Sequence, residues 1–150
     1  MAGTKKLRVL IVDDEPAARR KTRRFLEEDD DVEITGEASN GTDAVDKIFR
    51  ERPDLVFLDI QMPDVDGFDV VAAIAGTEHV PKFIFVTAHD QYAVKAFEVS
   101  AVDYLLKPFD RERFATALVR GRQSVTSLAP EDQLQLLLDS LRPAGRFLRR

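Results

Sequence analysis

The chain has 150 residues, 44% of them hydrophobic, which is enough for one domain with its own core and too little for two full ones. Charged residues make up 33%, yet the net charge is only -5, which argues against a basic nucleic-acid footprint over the main body. Cysteine is absent, excluding disulfides, thiolate catalysis and zinc-thiolate sites, and no apolar run approaches the ~18 residues of a membrane span.

At the N-terminus Lys5 and Lys6 precede a short apolar run that could mimic a secretory leader. Arg8 interrupts it, and Asp13, Asp14 and Glu15 end it with no cleavage site following, so a soluble, cytoplasmic protein is expected. That run, Leu7–Val12, reads as a first strand. Glu15-Pro16 then opens a helix whose Ala18, Thr22, Phe25 and Leu26 share one face. Val32–Ala38 alternates in polarity and reads as an edge strand. Asn40-Gly41 turns the chain into a helix over residues 42–50, with Ala44, Val45, Ile48 and Phe49 at helical spacing. Residues 54–58 and 82–86 are almost continuously apolar, as strands covered on both faces are. Helices are predicted over 65–75 and 91–99, and a fifth strand over 102–105. Asp110 is a good N-cap for a helix over 111–120, with Phe109 placed to staple onto Phe114. Five β-α units in a row predict a doubly wound five-stranded parallel sheet with helices on both faces. After Gly121 the character changes: residues 123–130 read as a linker, Leu134, Leu137, Leu138 and Leu141 share a helical face, and Arg146, Arg149 and Arg150 end the chain.

In such sheets, ligands bind at the carboxyl ends of the strands, where the strand order reverses. The first strand ends in Asp13-Asp14, the third in Asp59 and the fourth in Thr87, while Lys107-Pro108 follows the fifth. Each feature alone is ordinary: a helix cap, a strand-end hydroxyl, a surface lysine. Together they bring three carboxylates, a hydroxyl and an amine to one rim. Carboxylates so grouped repel unless a cation joins them, and hard oxygen ligands without His or Cys suit magnesium. Lysine and threonine would neutralise the oxygens of a transferring phosphoryl group, with one carboxylate as nucleophile.

The motifs Val-Asp-Asp-Glu-Pro (12 to 16), Leu-Asp-Ile-Gln-Met-Pro-Asp-Val-Asp-Gly (58 to 67), Phe-Val-Thr-Ala (85 to 88) and Asp-Tyr-Leu-Leu-Lys-Pro-Phe (103 to 109) carry a resemblance. From Leu7 to about Arg122 the chain resembles the receiver domains of two-component response regulators, which have the flavodoxin-like fold. The resemblance implies that Asp59 is the phosphoacceptor, served by a sensor histidine kinase. It implies that magnesium is held by Asp14 directly, by Asp13 mainly through water, by Asp59, and by the backbone carbonyl of Gln61. It makes Thr87 the switch hydroxyl, Lys107 the phosphate-binding amine, and Tyr104 the aromatic that moves with the switch. Gln61 and His89, two residues beyond the acceptor and the switch threonine, would tune the phosphoryl lifetime; rim solubility is the blander reading. The Lys107-Pro108 bond is expected to be cis, and Pro63 and Gly67 to shape the neighbouring loop, with Gly67 in a backbone conformation closed to other residues. Such a domain catalyses its own phosphorylation and dephosphorylation rather than turning over a separate substrate.

Residues 1–122 would then form the receiver, and 123–150 a linker with an amphipathic helix and the start of a missing output domain. The run from Phe85 through Lys107 looks most like receivers attached to LytTR-type DNA-binding domains, so any DNA contact belongs to that missing part. The face of the 91–99 helix, fifth strand and 110–120 helix is the expected route for the signal and for homodimer formation. A haloacid-dehalogenase-type phosphatase would need a second Asp where Gln61 stands. A calcium loop aligned on Gly67 puts Met62 and Ala73 where acids belong, and a dinucleotide fold lacks its glycine-rich turn. The remaining rival is a receiver-like interaction module that never takes phosphate.

Overall fold

The apolar runs do become strands, because helices cover them from two sides. The computed structural model describes residues 6–126. The expected leucine-faced helix over 134–141, the terminal arginines and most of the linker lie outside the described residues. The elements are β1 (Leu7–Val12), α1 (Pro16–Glu27), β2 (Val32–Ala38), α2 (Gly41–Glu51), β3 (Leu55–Asp59), α3 (Gly67–Ile74), β4 (Lys82–Thr87), α4 (Ala93–Glu98), β5 (Asp103–Leu106) and α5 (Arg111–Val125). All neighbouring strands pair in parallel, in the order β2-β1-β3-β4-β5. The flavodoxin-like fold and the edge position of β2 are as expected.

Alternate residues of each central strand feed two separate cores. Leu10, Val12, Val56, Leu58, Phe83 and Phe85 pack with Ile48 of α2, Val70 and Ile74 of α3, and Ala96 of α4. Val9, Ile11, Leu55, Phe57, Ile84 and Val86 pack with Leu26 of α1 and with Phe114, Ala117 and Leu118 of α5. Burial on both faces is what removes the polar alternation from these strands.

The strand register sets the position of the acidic rim. Val12 of β1 is level with Leu58 of β3, so the next residues, Asp13 and Asp59, stand side by side. Asp59 is in turn level with Val86, and Thr87 is level with Leu106, the residue before Lys107. The chain leaves β1 toward β2 on one side and later places β3 on the other, so this rim is the switch point of the sheet.

Helix starts follow local chemistry. Asn40 accepts from the Asp43 N–H at 2.8 Å, and Asp110 from the Arg113 N–H at 2.8 Å. Asp66 and Asp69 form a reciprocal capping box, which starts α3 at Gly67 rather than at residue 65. Phe109 and Phe114 stack with ring centres 5.8 Å apart.

Three expectations change. Instead of one helix over 91–99 there is a 3-10 turn, Asp90–Tyr92, followed by a six-residue α4; neither start has a side-chain cap, and Ser100 ends the segment at φ 63°. The last helix does not stop near Arg120 but runs on to Val125. Gly121 is a contact point in it and no terminator: a Cβ there would lie 2.8 Å from Leu55 Cδ2. Gly67 is not in the left-handed region, which in this loop is occupied by Asp64 at φ 68°. Its glycine is required by proximity, since a Cβ would sit 2.7 Å from the Asp59 carbonyl oxygen. Among the described residues no helix is long and apolar enough to cross a membrane.

Candidate functional site

Asp13 and Asp59 are 5% and 4% exposed, a costly place for two carboxylates, while Asp14 projects to solvent. One oxygen from each of the three lies within 4.8 Å of the others. Lys107 Nζ reaches Asp13 Oδ2 at 2.9 Å, Glu15 Oε1 at 3.2 Å and Asp59 Oδ2 at 4.0 Å. Burial, helped by the charge of Asp13, pushes the Asp59 carboxyl up to about 8; Lys107 opposes this and Asp14 adds to it. Burial also works against charge on Lys107, but Asp13, Asp59 and Glu15 outweigh it and hold the amine above its ordinary value. The neighbouring acids act on both groups: they add to the effect of burial at Asp59 and overcome it at Lys107.

The donor set fits a hard divalent ion. Oxygens around magnesium stand ~3 to 4 Å apart in an octahedron, so a small contraction of the carboxylates would suffice. Among the described residues no N–H donates to the Gln61 backbone carbonyl, leaving that oxygen free as a further ligand.

Thr87 is fully buried, and its Oγ1 accepts from the His89 N–H at 3.2 Å. The His89 carbonyl accepts in turn from the Tyr104 hydroxyl. The backbone of His89 therefore links the two predicted switch residues. Lys107 is held near Thr87 by its own N–H, which donates to the Thr87 carbonyl at 2.7 Å, and the Lys107-Pro108 bond is cis. Gln61 and His89 are exposed, as is the small Ala88 beside Thr87. The Gln61 side chain is turned to Tyr92, donating to its hydroxyl at 3.2 Å.

A family model described as the response regulator receiver domain matches residues 9–119. The chain belongs to that family. Transcriptional regulatory protein BtsR of Escherichia coli (strain K12) is 48% identical to this receiver over 134 residues, 87% of this chain and 56% of that protein. Sensory transduction protein LytT of Bacillus cereus is 46% identical over 121 residues, 81% of this chain and 49% of that protein. The chain thus spans about half the length of the curated relatives it matches. The response regulatory domain of mrkE from Klebsiella pneumoniae superposes with a TM-score of 0.73 at 32% identity, covering 79% of this chain and 97% of that one. The receiver is a signalling domain of two-component response regulators, with an acidic pocket of the kind that binds magnesium.

The receiver brings Asp13, Asp14, Asp59 and Lys107 into one cluster, with Thr87 and Tyr104 joined through His89. Two residues were missed in the sequence. Glu15 shares the Lys107 amine, and Tyr92 binds Gln61. Glu15 is readable in hindsight from Val-Asp-Asp-Glu-Pro, since it follows the acidic pair directly. Nothing in the sequence signals Tyr92, whose role depends on how the 3-10 turn places it.

Proposed function

We propose that Asp59 takes a phosphoryl group from a sensor histidine kinase, with magnesium, and that the change is passed to an attached output domain. The observation that carries this reading is the buried Asp59 carboxylate facing Asp13, Asp14 and the Lys107 amine. An Asp59 oxygen attacks phosphorus while the bond from phosphorus to the donor nitrogen breaks. The electron pair leaves with the imidazole, which takes a proton from water. Asp13, Asp14, Asp59 and the Gln61 carbonyl would hold the metal, which supplies charge neutralisation when bound. Lys107, now shared by Asp13 and Glu15, is the cation within reach of a phosphoryl group on Asp59. The Thr87 oxygen accepts from His89, so its own hydrogen remains free to donate to a phosphoryl oxygen. Exposed Ala88 leaves a donor room to approach.

Once Thr87 turns inward, the His89 backbone loses a partner and its contact with Tyr104 is disturbed. Phosphorylation thereby biases two arrangements of the α4–β5–α5 face, a population shift. That face exposes Val94 and Phe97 by 69% and 82% and is read as the homodimer surface. Residues after α5 are read as a linker to a LytTR-type DNA-binding domain, in a cytoplasmic transcriptional regulator; the names of BtsR and LytT favour a regulatory, sensory role.

Incubation with magnesium and acetyl phosphate, followed by intact mass measurement, tests the central step. One added phosphoryl group is expected, absent in Asp59→Asn and absent with chelator. No addition, or addition that survives Asp59→Asn, would favour an interaction module that works without phosphate.

A further inference from the structure

Tyr92 touches both side chains assigned above to the phosphoryl lifetime. Its hydroxyl accepts from Gln61 Nε2 at 3.2 Å, and its ring meets the His89 ring edge-on, with centres 6.3 Å apart and planes at 86°. The ring is anchored from below by Phe68 of α3 at 5.9 Å, and Phe68 is itself covered by the Lys95 ammonium 4.5 Å from its centre. Beside it lies a cleft of about 380 Å³ lined by Ile60, Gln61, Met62, Pro63, Asp66 and Tyr92. The Gln61 amide lines this cleft with its donor engaged by Tyr92, and among the described residues it makes no hydrogen bond to the acceptor carboxylate of Asp59.

We propose that Tyr92 is a positioning residue for loss of the phosphoryl group: its hydroxyl holds the Gln61 amide off the aspartyl phosphate and lengthens its lifetime. This rests on the reading that Asp59 is phosphorylated and that Gln61 acts on the attacking water. In the hydrolytic step a water oxygen bonds to phosphorus and the bond from phosphorus to the Asp59 oxygen breaks. The electron pair returns to the carboxylate, and a proton passes to solvent as inorganic phosphate departs. A primary amide has both donors and an acceptor with which to orient that water, but only when released from the tyrosine. The bond is neutral and exposed, and one such hydrogen bond sets a ceiling of about tenfold on the effect. Tyr92 also ends the 3-10 turn that begins directly after His89. A shift of Thr87 and His89 would therefore move it, linking lifetime to the state of the switch.

The full chain is phosphorylated with acetyl phosphate and magnesium, the donor is removed, and loss of the phosphoryl group is followed by intact mass. Tyr92→Phe should lose the group about two- to tenfold faster than the parent chain. Its melting temperature should be unchanged, because the ring remains on Phe68. In a Gln61→Ala background the same substitution should have no effect. An unchanged or longer lifetime in Tyr92→Phe overturns the proposal, as does equal acceleration when Gln61 is absent. If the parent chain takes up no phosphoryl group, it is the reading of Asp59 that fails.

Discussion

Asp59 is kept where its negative charge is unwelcome, and that cost should be measurable. With its carboxyl raised to about 8 in the fold and near ~3.9 in an unfolded chain, the group favours folding only while protonated. Its contribution is complete below the unfolded value and is lost as pH rises toward 8. In chelator, Asp59→Asn should match the parent near pH ~4 and exceed it in stability by more than ~1.4 kcal/mol near neutrality, the worth of one pKa unit. Urea unfolding across pH decides this; a constant difference would mean that burial and the neighbouring acids do not raise this carboxyl. Gly67 stands behind the same group. Gly67→Ala forces a methyl toward the Asp59 carbonyl and should cost about 1–3 kcal/mol while slowing phosphorylation by acetyl phosphate.

At the level of elements, β5 is the shorter of the two edge strands, four residues paired on one side to β4. Asp103 ties it to α5 through a forked pair with Arg113, at 2.9 and 3.0 Å, and a further contact to Arg120 at 3.2 Å. Burial pushes the Asp103 carboxyl up, but the Arg113 hydrogen bonds and the arginine charges win and hold it below the usual range. Its stabilisation is therefore present above the unfolded value of ~3.9 and is lost as pH falls through the lower folded one. Asp103→Asn should cost about 1–3 kcal/mol at neutral pH and almost nothing in strong acid, read by chemical denaturation. The central strands were legible in the sequence because burial on both faces leaves continuous apolar runs. The acidic rim was legible because parallel register carries strand ends to one level. The shortness of α4 was not, since apolar spacing over 91–99 says helix while the missing cap decides where it starts. Nor were the contacts of Glu15 and Tyr92, which depend on the direction taken by exposed side chains.

At the scale of the molecule, the apolar α4–β5–α5 face remains uncovered in the described chain. Phosphorylated protein should sediment as a dimer, and Phe97→Glu should remain monomeric while still taking up the phosphoryl group. A Tyr104→Ala variant that dimerised normally would contradict the route through His89. The register of the sheet also orders events during synthesis. Asp13, Asp14 and Asp59 are made long before Lys107, and β1 can pair with β3 as soon as both exist. A growing chain halted at that stage holds three acids and no amine to balance them, in a sheet that still lacks β4 and β5. Domains generally fold as units. Docking of the final strand therefore completes both the sheet and the charge balance; on the reading proposed for Asp59, a chain that stops short of Lys107 should be a poor phosphoryl acceptor.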